Sequence, residues 1–169
     1  MKVGVLALQG DFAEHCHSLT QLGVEAIEVR LPEQLEDLDG LIIPGGESTT
    51  IGKLIDAYGF IDPLRIFAQT RGIWGTCAGA ILMAQDVGRE QVLLKVMDIR
   101  IARNAFGRQI DSFETDLMAP FLQPPEPPYH AVFIRAPIIQ TVNGRAEVLL
   151  TLPDGRIVAA RQGKLLATS

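Results

Sequence analysis

The chain has 169 residues, a formal net charge of -5, 47% hydrophobic residues and 21% charged residues. This length and composition predict one globular domain and exclude a disordered protein. The negative charge disfavours nucleic-acid binding, which needs a basic surface. No apolar run reaches the length of a membrane span, and the apolar segment after Met1 is too short for a signal peptide. The two cysteines form no disulfide framework, so we expect a cytoplasmic protein.

The first half alternates apolar runs with helical patterns. Val3–Leu8 is continuously apolar, which predicts a strand buried on both faces of a parallel sheet. Three further strands are predicted in the same way, at Val24–Val29, Leu41–Ile43 and Ile73–Trp74. Helices are predicted over residues 12–22, from a cap at Ser48 or Thr49 through Ile55, and from Pro63 onward. This alternation predicts an α/β fold with a doubly wound, mostly parallel sheet and helices on both faces.

The second half has a different pattern. Apolar residues alternate with polar ones over Met97–Ile101, as in a half-exposed strand, and His130–Arg135 predicts another strand. A β-meander is predicted near the C-terminus, over Ala146–Leu152, Arg156–Arg161 and Lys164–Thr168. Gln123–Pro128 is expected to be an irregular surface loop, with proline-rich recognition as the alternative. No repeat or second domain is evident, so residues 1–169 are expected to form a single domain.

Cys77 lies in the most informative segment, Gly75–Gly79. It follows a short apolar strand and precedes an apolar helical pattern, and its neighbours are all small. This is the pattern of a nucleophile elbow, with cysteine as the nucleophile. Because a helix begins at the sulfur, we expect its dipole to favour the reactive thiolate. The alternative is a small buried cysteine with a purely structural role.

A glycine pair follows the third predicted strand, in the segment Pro44–Thr50. Glycines there let the backbone approach a ligand without a side-chain clash. Beside the elbow, their N–H groups could form an oxyanion hole with the amide of Ala78. A glycine turn followed by a Ser/Thr helix cap is the simpler interpretation, and both can hold together. The segment is not a phosphate-binding P-loop, because the Gly-Lys-Ser/Thr element is missing.

A thiol nucleophile needs a base, and the sequence offers three histidines. His15 and His17 are two apart in a predicted helix, so they point in different directions and make neither a strong base candidate nor a zinc site. His130 opens a predicted strand and is expected to be structural. Arg103 and Arg135 each end a predicted strand. Either could hold a substrate carboxylate, although an ordinary surface ion pair is the default for an arginine.

Several motifs, in this order along the whole chain, resemble the glutaminase subunits of pyridoxal 5'-phosphate synthase, a family of class I (triad-type) glutamine amidotransferases. The motifs are Val5–Gly10, Pro44–Thr50, Gly75–Gly79, Arg103–Gln109 and Val132–Pro137. The elbow alone resembles the wider amidotransferase class. The segments Arg103–Gln109 and Val132–Pro137 narrow the resemblance to this subunit. It implies a flavodoxin-like class I amidotransferase fold.

The resemblance also implies an activity, the hydrolysis of L-glutamine to glutamate and ammonia. Cys77 would form a glutamyl thioester, and Gly46 and Ala78 would supply oxyanion amides. The glutamine-binding residues implied by the family are Gly46, Glu47, Ser48, Arg103, Ile134 and Arg135. Ammonia would pass to a separate synthase subunit in a hetero-oligomer. Since that partner makes the cofactor, this chain is expected to bind no cofactor and no metal.

The sequence departs from the family at one point. In the family, a strand resembling Leu165–Ser169 continues into Phe-His-Pro-Glu, which carries the histidine and glutamate of the triad. We therefore expect a fragment of a longer protein or a truncated one, in which Cys77 lacks its base. The alternatives to an active glutaminase are a catalytically impaired, synthase-binding subunit and a cysteine hydrolase or glyoxalase-like enzyme of similar fold.

Overall fold

The fold was analysed in a computed structural model that describes residues 1–102, 112–122 and 128–169. The first half alternates strands and helices, as the apolar pattern predicts. Its elements are β1 (Lys2–Leu6), α1 (Phe12–Gln21), β2 (Glu25–Val29), a 3-10 turn (Pro32–Leu35), β3 (Gly40–Ile43), α2 (Ser48–Ala57), α3 (Ile61–Thr70), β4 (Gly72–Thr76) and α4 (Ala78–Met83). Each of the four strands predicted in this half is present, with its ends shifted by two residues or fewer.

The second half is mainly strand. Its elements are β5 (Ala84–Asp86), β6 (Met97–Ala102), β7 (Phe113–Leu117), β8 (Tyr129–Phe133), β9 (Ile138–Val142), β10 (Glu147–Thr151), β11 (Ile157–Gln162) and β12 (Leu165–Thr168). The sequence patterns did not predict β5, β7 or β9. The strand predicted to run to Arg135 ends at Phe133, and Ile134 and Arg135 form a bend. Of the predicted loop Gln123–Pro128, all but Pro128 lies outside the described residues.

Ten strands of the described chain form one sheet, in the order β2-β1-β3-β4-β12-β11-β9-β6-β5, with β10 paired to β11. The pairs from β2 to β12 along this order are parallel, and β10, β11 and β12 form the predicted antiparallel meander. The pairing of β12 with β4 places Thr168 beside Thr76. The carboxyl ends of β3, β4 and β12 therefore meet at one edge of the sheet, where α/β folds bind ligands.

Helices cover both faces of this sheet. On one face, His15 of α1 contacts Thr76 and Trp74 of β4. On the other, α4 packs so closely that a Cβ added at Gly75 would lie 2.6 Å from Met83 Sδ. The main core between the sheet and its helices includes fully buried Phe60, Ile51, Ile55, Leu64, Ile73 and Leu82. No helix in the described parts of the chain has the length and apolar character needed to cross a membrane.

The strands β7 and β8 form a separate antiparallel hairpin, which the sequence analysis only half predicted. Phe113 and Phe133 stack across it with their ring centroids 4.9 Å apart. Its inner face contributes Leu117, Ala131 and Phe133 to a second, smaller hydrophobic cluster. The bend after β8 brings Ile134 and Arg135 to the edge at which β4 and β12 end. There they border the same cavity as Cys77 and Ser169.

Candidate active site

The strand-to-helix turn predicted at Cys77 is present, and close backbone packing imposes it. Cys77 has φ 48° and ψ -102°, a conformation that non-glycine residues rarely adopt and that is typical of strained functional positions. A Cβ at Gly79 would lie 2.0 Å from the carbonyl oxygen of Ile43, and one at Gly75 would lie 2.6 Å from the carbonyl carbon of Gly79. Small residues are therefore required on both sides of the cysteine.

The backbone of Cys77 is held by a hydrogen bond, and two neighbouring amides act on its sulfur. The Cys77 N–H donates to the carbonyl oxygen of Thr168 in β12, at 2.8 Å. The backbone N–H groups of Ala78 and Gly46 favour negative charge on the sulfur and so lower its pKa. Burial nevertheless raises the pKa of the thiol; the two amides and Arg135 oppose this effect, and the carboxylate of Asp11 adds to it. The Ala78 amide at the start of the short helix α4 favours thiolate, as expected, but desolvation outweighs it, so the pKa of the free thiol is raised overall.

The glycine loop after β3 is clamped by the loop after β1. A Cβ at Gly10 would lie 1.9 Å from the carbonyl oxygen of Gly45, and Gly46 has φ 147°. The Asp11 N–H donates to the Gly45 carbonyl at 3.1 Å, and the Glu47 N–H donates to Gln9 Oε1 at 3.0 Å. Gln9 and Asp11 were not among the predicted site residues. The signals for them in the sequence were the family motif Val5–Gly10, which includes Gln9, and the polar turn that directly follows a buried strand.

Glu47, rather than Ser48 or Thr49, caps helix α2, which corrects the sequence expectation. Its carboxylate accepts hydrogen bonds from the N–H groups of Thr49 and Thr50 at 3.3 and 2.8 Å and from both threonine hydroxyls. These bonds, led by that of the Thr49 hydroxyl, lower the pKa of Glu47 to about 2. Ser48 is 2% exposed, and its hydroxyl has no hydrogen-bond partner among the described residues. Ser48 therefore borders the cavity with a buried hydroxyl that lacks a hydrogen-bond partner among the described residues.

A cavity of about 630 Å³ opens above the elbow. Cys77 borders this cavity. So do five of the six residues that the resemblance implied for glutamine binding, namely Gly46, Glu47, Ser48, Ile134 and Arg135. Ala78 is buried directly behind Cys77, while Arg103 lies outside the described residues. Arg135 has φ 48°, so it shares with Cys77 a strained backbone conformation. The cavity therefore combines a thiol, a buried hydroxyl and a guanidinium.

The three histidines lie elsewhere. His15 Nε2 is 3.2 Å from Thr76 Oγ1 and its ring packs on Trp74, but it does not border the cavity. Burial lowers the pKa of His15 against the opposing charges of Asp11 and Glu14. His17 contacts Gln21 on the surface of α1. His130 pairs with Asp116 and Glu114 across the β7–β8 hairpin, as a structural residue would, and these pairings raise its pKa.

The described residues contain no group of three or more His, Cys, Asp or Glu side chains placed to share a metal ion. Cys16 and Cys77 are both free thiols. What the arrangement can do chemically is therefore set by one thiol, two amide donors and the surrounding polar side chains. It can form a covalent bond to an electrophilic carbon while two N–H groups stabilise the developing oxyanion.

Comparison with known proteins assigns the chain to a family. The profile of the SNO glutamine amidotransferase family matches residues 5–169. The chain is 57% identical to pyridoxal 5'-phosphate synthase subunit PdxT of Herpetosiphon aurantiacus and 54% identical to that of Chloroflexus aurantiacus, each time over 100% of this chain and 90% of the relative. A crystal structure described as a glutamine amidotransferase superposes with a TM-score of 0.90 at 51% identity, covering 98% of this chain and 87% of the other. The chain belongs to the SNO glutamine amidotransferase family.

Proposed function

We propose that this chain is the glutaminase subunit of a pyridoxal 5'-phosphate synthase, which hydrolyses L-glutamine to glutamate and ammonia for vitamin B6 biosynthesis. The observation that carries the proposal is the position of Cys77, on a strained elbow that borders a cavity, where the backbone amides of Ala78 and Gly46 lower the pKa of its thiol. The naming of the PdxT relatives agrees with it. The two free cysteines are compatible with a reducing cytoplasm, where we place the reaction.

The reaction follows from this geometry in two steps. The Cys77 sulfur, after losing its proton, attacks the side-chain amide carbon of glutamine, and the C–N bond breaks as ammonia leaves with one added proton. Water then attacks the thioester, which releases glutamate and restores the thiol. In each step negative charge develops on the carbonyl oxygen, and the N–H groups of Gly46 and Ala78 are proposed to stabilise it. Both amides already favour negative charge on the sulfur, which supports this role.

Substrate binding is proposed to use the opposite wall of the cavity. The Arg135 guanidinium can hold the α-carboxylate of glutamine, and the buried Ser48 hydroxyl can donate a hydrogen bond to the substrate. Ile134 contributes an apolar wall. The Glu47 carboxylate is occupied as a helix cap, so we propose that Glu47 contributes through its position on the cavity wall. Arg103 remains a proposed glutamine contact on the strength of its motif alone.

A partner synthase subunit is proposed to receive the ammonia. Val132 and Ile134 border the cavity with 52% and 63% of their surface exposed. Large apolar side chains exposed together at the mouth of a site are typical of a protein interface. A synthase subunit docked there would keep ammonia away from bulk water. We propose a hetero-oligomer of the two subunits, with residues 1–169 forming a single amidotransferase domain.

A second candidate function is a synthase-binding subunit with impaired catalysis. It is favoured by one observation, that none of the chain's three histidines borders the Cys77 cavity. A thiol that has no imidazole at hydrogen-bond distance loses its proton less readily. Removing a triad base costs several orders of magnitude in rate in related cysteine and serine systems.

One experiment separates the two functions. The chain is mixed with its synthase subunit and L-glutamine, and glutamate release is measured for the unaltered protein, for Cys77→Ala and for Cys16→Ala as the matched cysteine control. A glutaminase loses its activity only in Cys77→Ala, and activity that survives this change would overturn the proposal. Added imidazole should raise the rate if a base is lacking. Synthase binding without activity, even with imidazole, would establish the second function.

A further inference from the structure

A second cleft, of about 880 Å³, lies away from the Cys77 cavity. We call it the basic cleft, and its charged lining residues are Arg65, Lys95, Arg145 and Lys164. Of the residues described as lining it, none is acidic, although the whole chain has a net charge of -5. Four cations around one concave surface in an acidic protein create a local positive field. The function proposed above makes no use of this cleft.

The basic cleft lies at the opposite end of the sheet from the thiol. Leu165, the first residue of β12, lines it and pairs with Ile73, whereas Ser169, just beyond the end of β12, borders the Cys77 cavity. Because a strand rises about 3.3 Å per residue, the two sites are separated by the length of β12, about 10 Å or more. A ligand in the basic cleft would therefore leave the glutamine site free.

Two of the four cations are fixed in place by the backbone around them. Arg65 Nε donates to the Leu94 carbonyl at 3.0 Å, and Lys164 Nζ donates to the Thr70 carbonyl at 2.9 Å. Arg65 Nη1 also lies 3.4 Å from Oδ1 of Asp62, a highly exposed residue that does not line the cleft. Since one exposed pair of this kind contributes little, Arg65 keeps N–H groups for a ligand. These anchors give the cleft a preformed cationic wall.

The other two cations are exposed and have no side-chain hydrogen bond or ion pair among the described residues. Arg145 is held by its backbone, whose N–H donates to Asp98 Oδ2 at 3.1 Å. Lys95 has φ 56°, because the N–H groups of Leu94 and Val96 on either side are bound to the carbonyls of Leu82 and Met83. Both residues line the cleft, and the described residues provide no hydrogen-bond partner for the Lys95 ammonium or the Arg145 guanidinium.

The strained backbone of Lys95 independently supports a functional role for the basic cleft. Three non-glycine residues of the described chain have positive φ, and the other two, Cys77 and Arg135, both border the candidate active site. Strain of this kind persists where the surrounding structure enforces it and is concentrated at functional sites. The third such residue lines the basic cleft. Glycine or asparagine would adopt the positive φ of Lys95 with less strain. The presence of lysine at this position favours a role for its charge.

We propose that the basic cleft binds a small phosphate-bearing anion, in a site separate from the glutaminase centre. Two guanidinium groups can each bind phosphate oxygens in a bidentate fork, and two ammonium groups add point charges around them. A single carboxylate could engage only part of this set. The ligand is therefore a diphosphate or a phosphate ester, and the proposal does not depend on the glutaminase function.

The test uses the full chain and measures binding by titration calorimetry at low salt, with pyrophosphate, a sugar phosphate and succinate as probes. The cleft variant is Lys95→Asn with Arg145→Gln, since asparagine tolerates positive φ. The matched control removes the same two charges elsewhere, with Lys53→Gln and Arg89→Gln, both exposed and outside the cleft lining. Thermal unfolding of each variant checks that the fold is retained.

We expect pyrophosphate or the sugar phosphate to bind with a dissociation constant below about 1 mM. The cleft variant should weaken that binding at least about tenfold, while the control variant changes it less than about twofold. A preference for pyrophosphate identifies a diphosphate ligand, and a preference for the sugar phosphate identifies an ester. The proposal is overturned if neither phosphate binds, if succinate binds equally well, or if both variants lose binding to the same extent.

Discussion

Glu47 gives the most direct test of how the glycine loop and α2 are held. Glu47→Ala removes the acceptor for two N–H groups and two hydroxyls at the start of the helix. A pKa lowered from 4.5 to about 2 corresponds to about 3 kcal/mol of stabilisation for a desolvated carboxylate. Because this side chain is exposed, solvent screening reduces the expected loss to about 1–2 kcal/mol, the usual range for a helix N-cap.

Urea unfolding at pH 7 measures this loss, with Glu47→Gln as the matched variant. Glutamine keeps an acceptor oxygen but not the charge, so we expect it to lose less than about 1 kcal/mol. The folded-state pKa of Glu47 is depressed, and its stabilising effect is therefore complete above pH 4.5 and is lost as the pH falls from 4.5 towards 2. The difference in unfolding free energy between the unaltered protein and Glu47→Gln should narrow over this window.

Two outcomes would contradict a capping role for Glu47. If Glu47→Ala unfolds at the same urea concentration as the unaltered protein, the carboxylate does not stabilise the helix. If stability is unchanged but KM for glutamine rises strongly in both variants, the carboxylate binds substrate instead of capping α2. Loss of stability in Glu47→Ala, with a smaller loss in Glu47→Gln, would establish the cap.

Two further predictions concern the elbow. Gly79→Ala should lower the free energy of unfolding by more than about 2 kcal/mol, because the new Cβ would lie 2.0 Å from the Ile43 carbonyl oxygen. The control is Gly40→Ala, whose Cβ would lie 3.5 Å from its nearest neighbour. Equal stability of the two variants would show that the backbone can shift freely there. Because burial raises the pKa of Cys77, its alkylation in a Cys16→Ser background should be slower at pH 7 than that of a free thiol and should accelerate as the pH rises past 9. Fast alkylation at pH 7 would contradict the desolvated thiol.

Much of the fold is predictable because the first half follows one simple rule. Buried parallel strands are continuously apolar, so β1, β3 and β4 are visible as short apolar runs between turns. The elements that were missed form for other reasons. β5 is three residues long and pairs with β6. In β7, the exposed residues Glu114 and Asp116 alternate with Phe113, Thr115 and Leu117, so only its two end residues are apolar. The distant partners that stabilise such short or polar strands are not visible in the local sequence.

The site was predictable where chemistry requires a particular backbone, and less so where packing decides. Small residues around Cys77 and glycines after β3 indicate a close approach whatever the neighbours are. The cap on α2 was assigned wrongly, because Ser48 is the usual residue type but is buried beside the cavity while Glu47 reaches the free N–H groups. The local effect of the helix N-terminus on the Cys77 thiol was predictable, but the net direction of its pKa shift was not. That direction depends on how much of the chain covers the sulfur, which local sequence does not report.

The place of β12 in the middle of the sheet bears on how the enzyme comes into being during synthesis. The hydrogen bond between Trp74 Nε1 and Thr168 Oγ1 joins residues 94 positions apart, and the backbone of Cys77 relies on the same late strand. Contacts between such distant segments form slowly. On the ribosome, β4 must wait with an open edge until the meander arrives. A nascent chain without β12 therefore lacks the hydrogen bond between the Cys77 N–H and the Thr168 carbonyl, and the elbow is completed only after β12 has been synthesised.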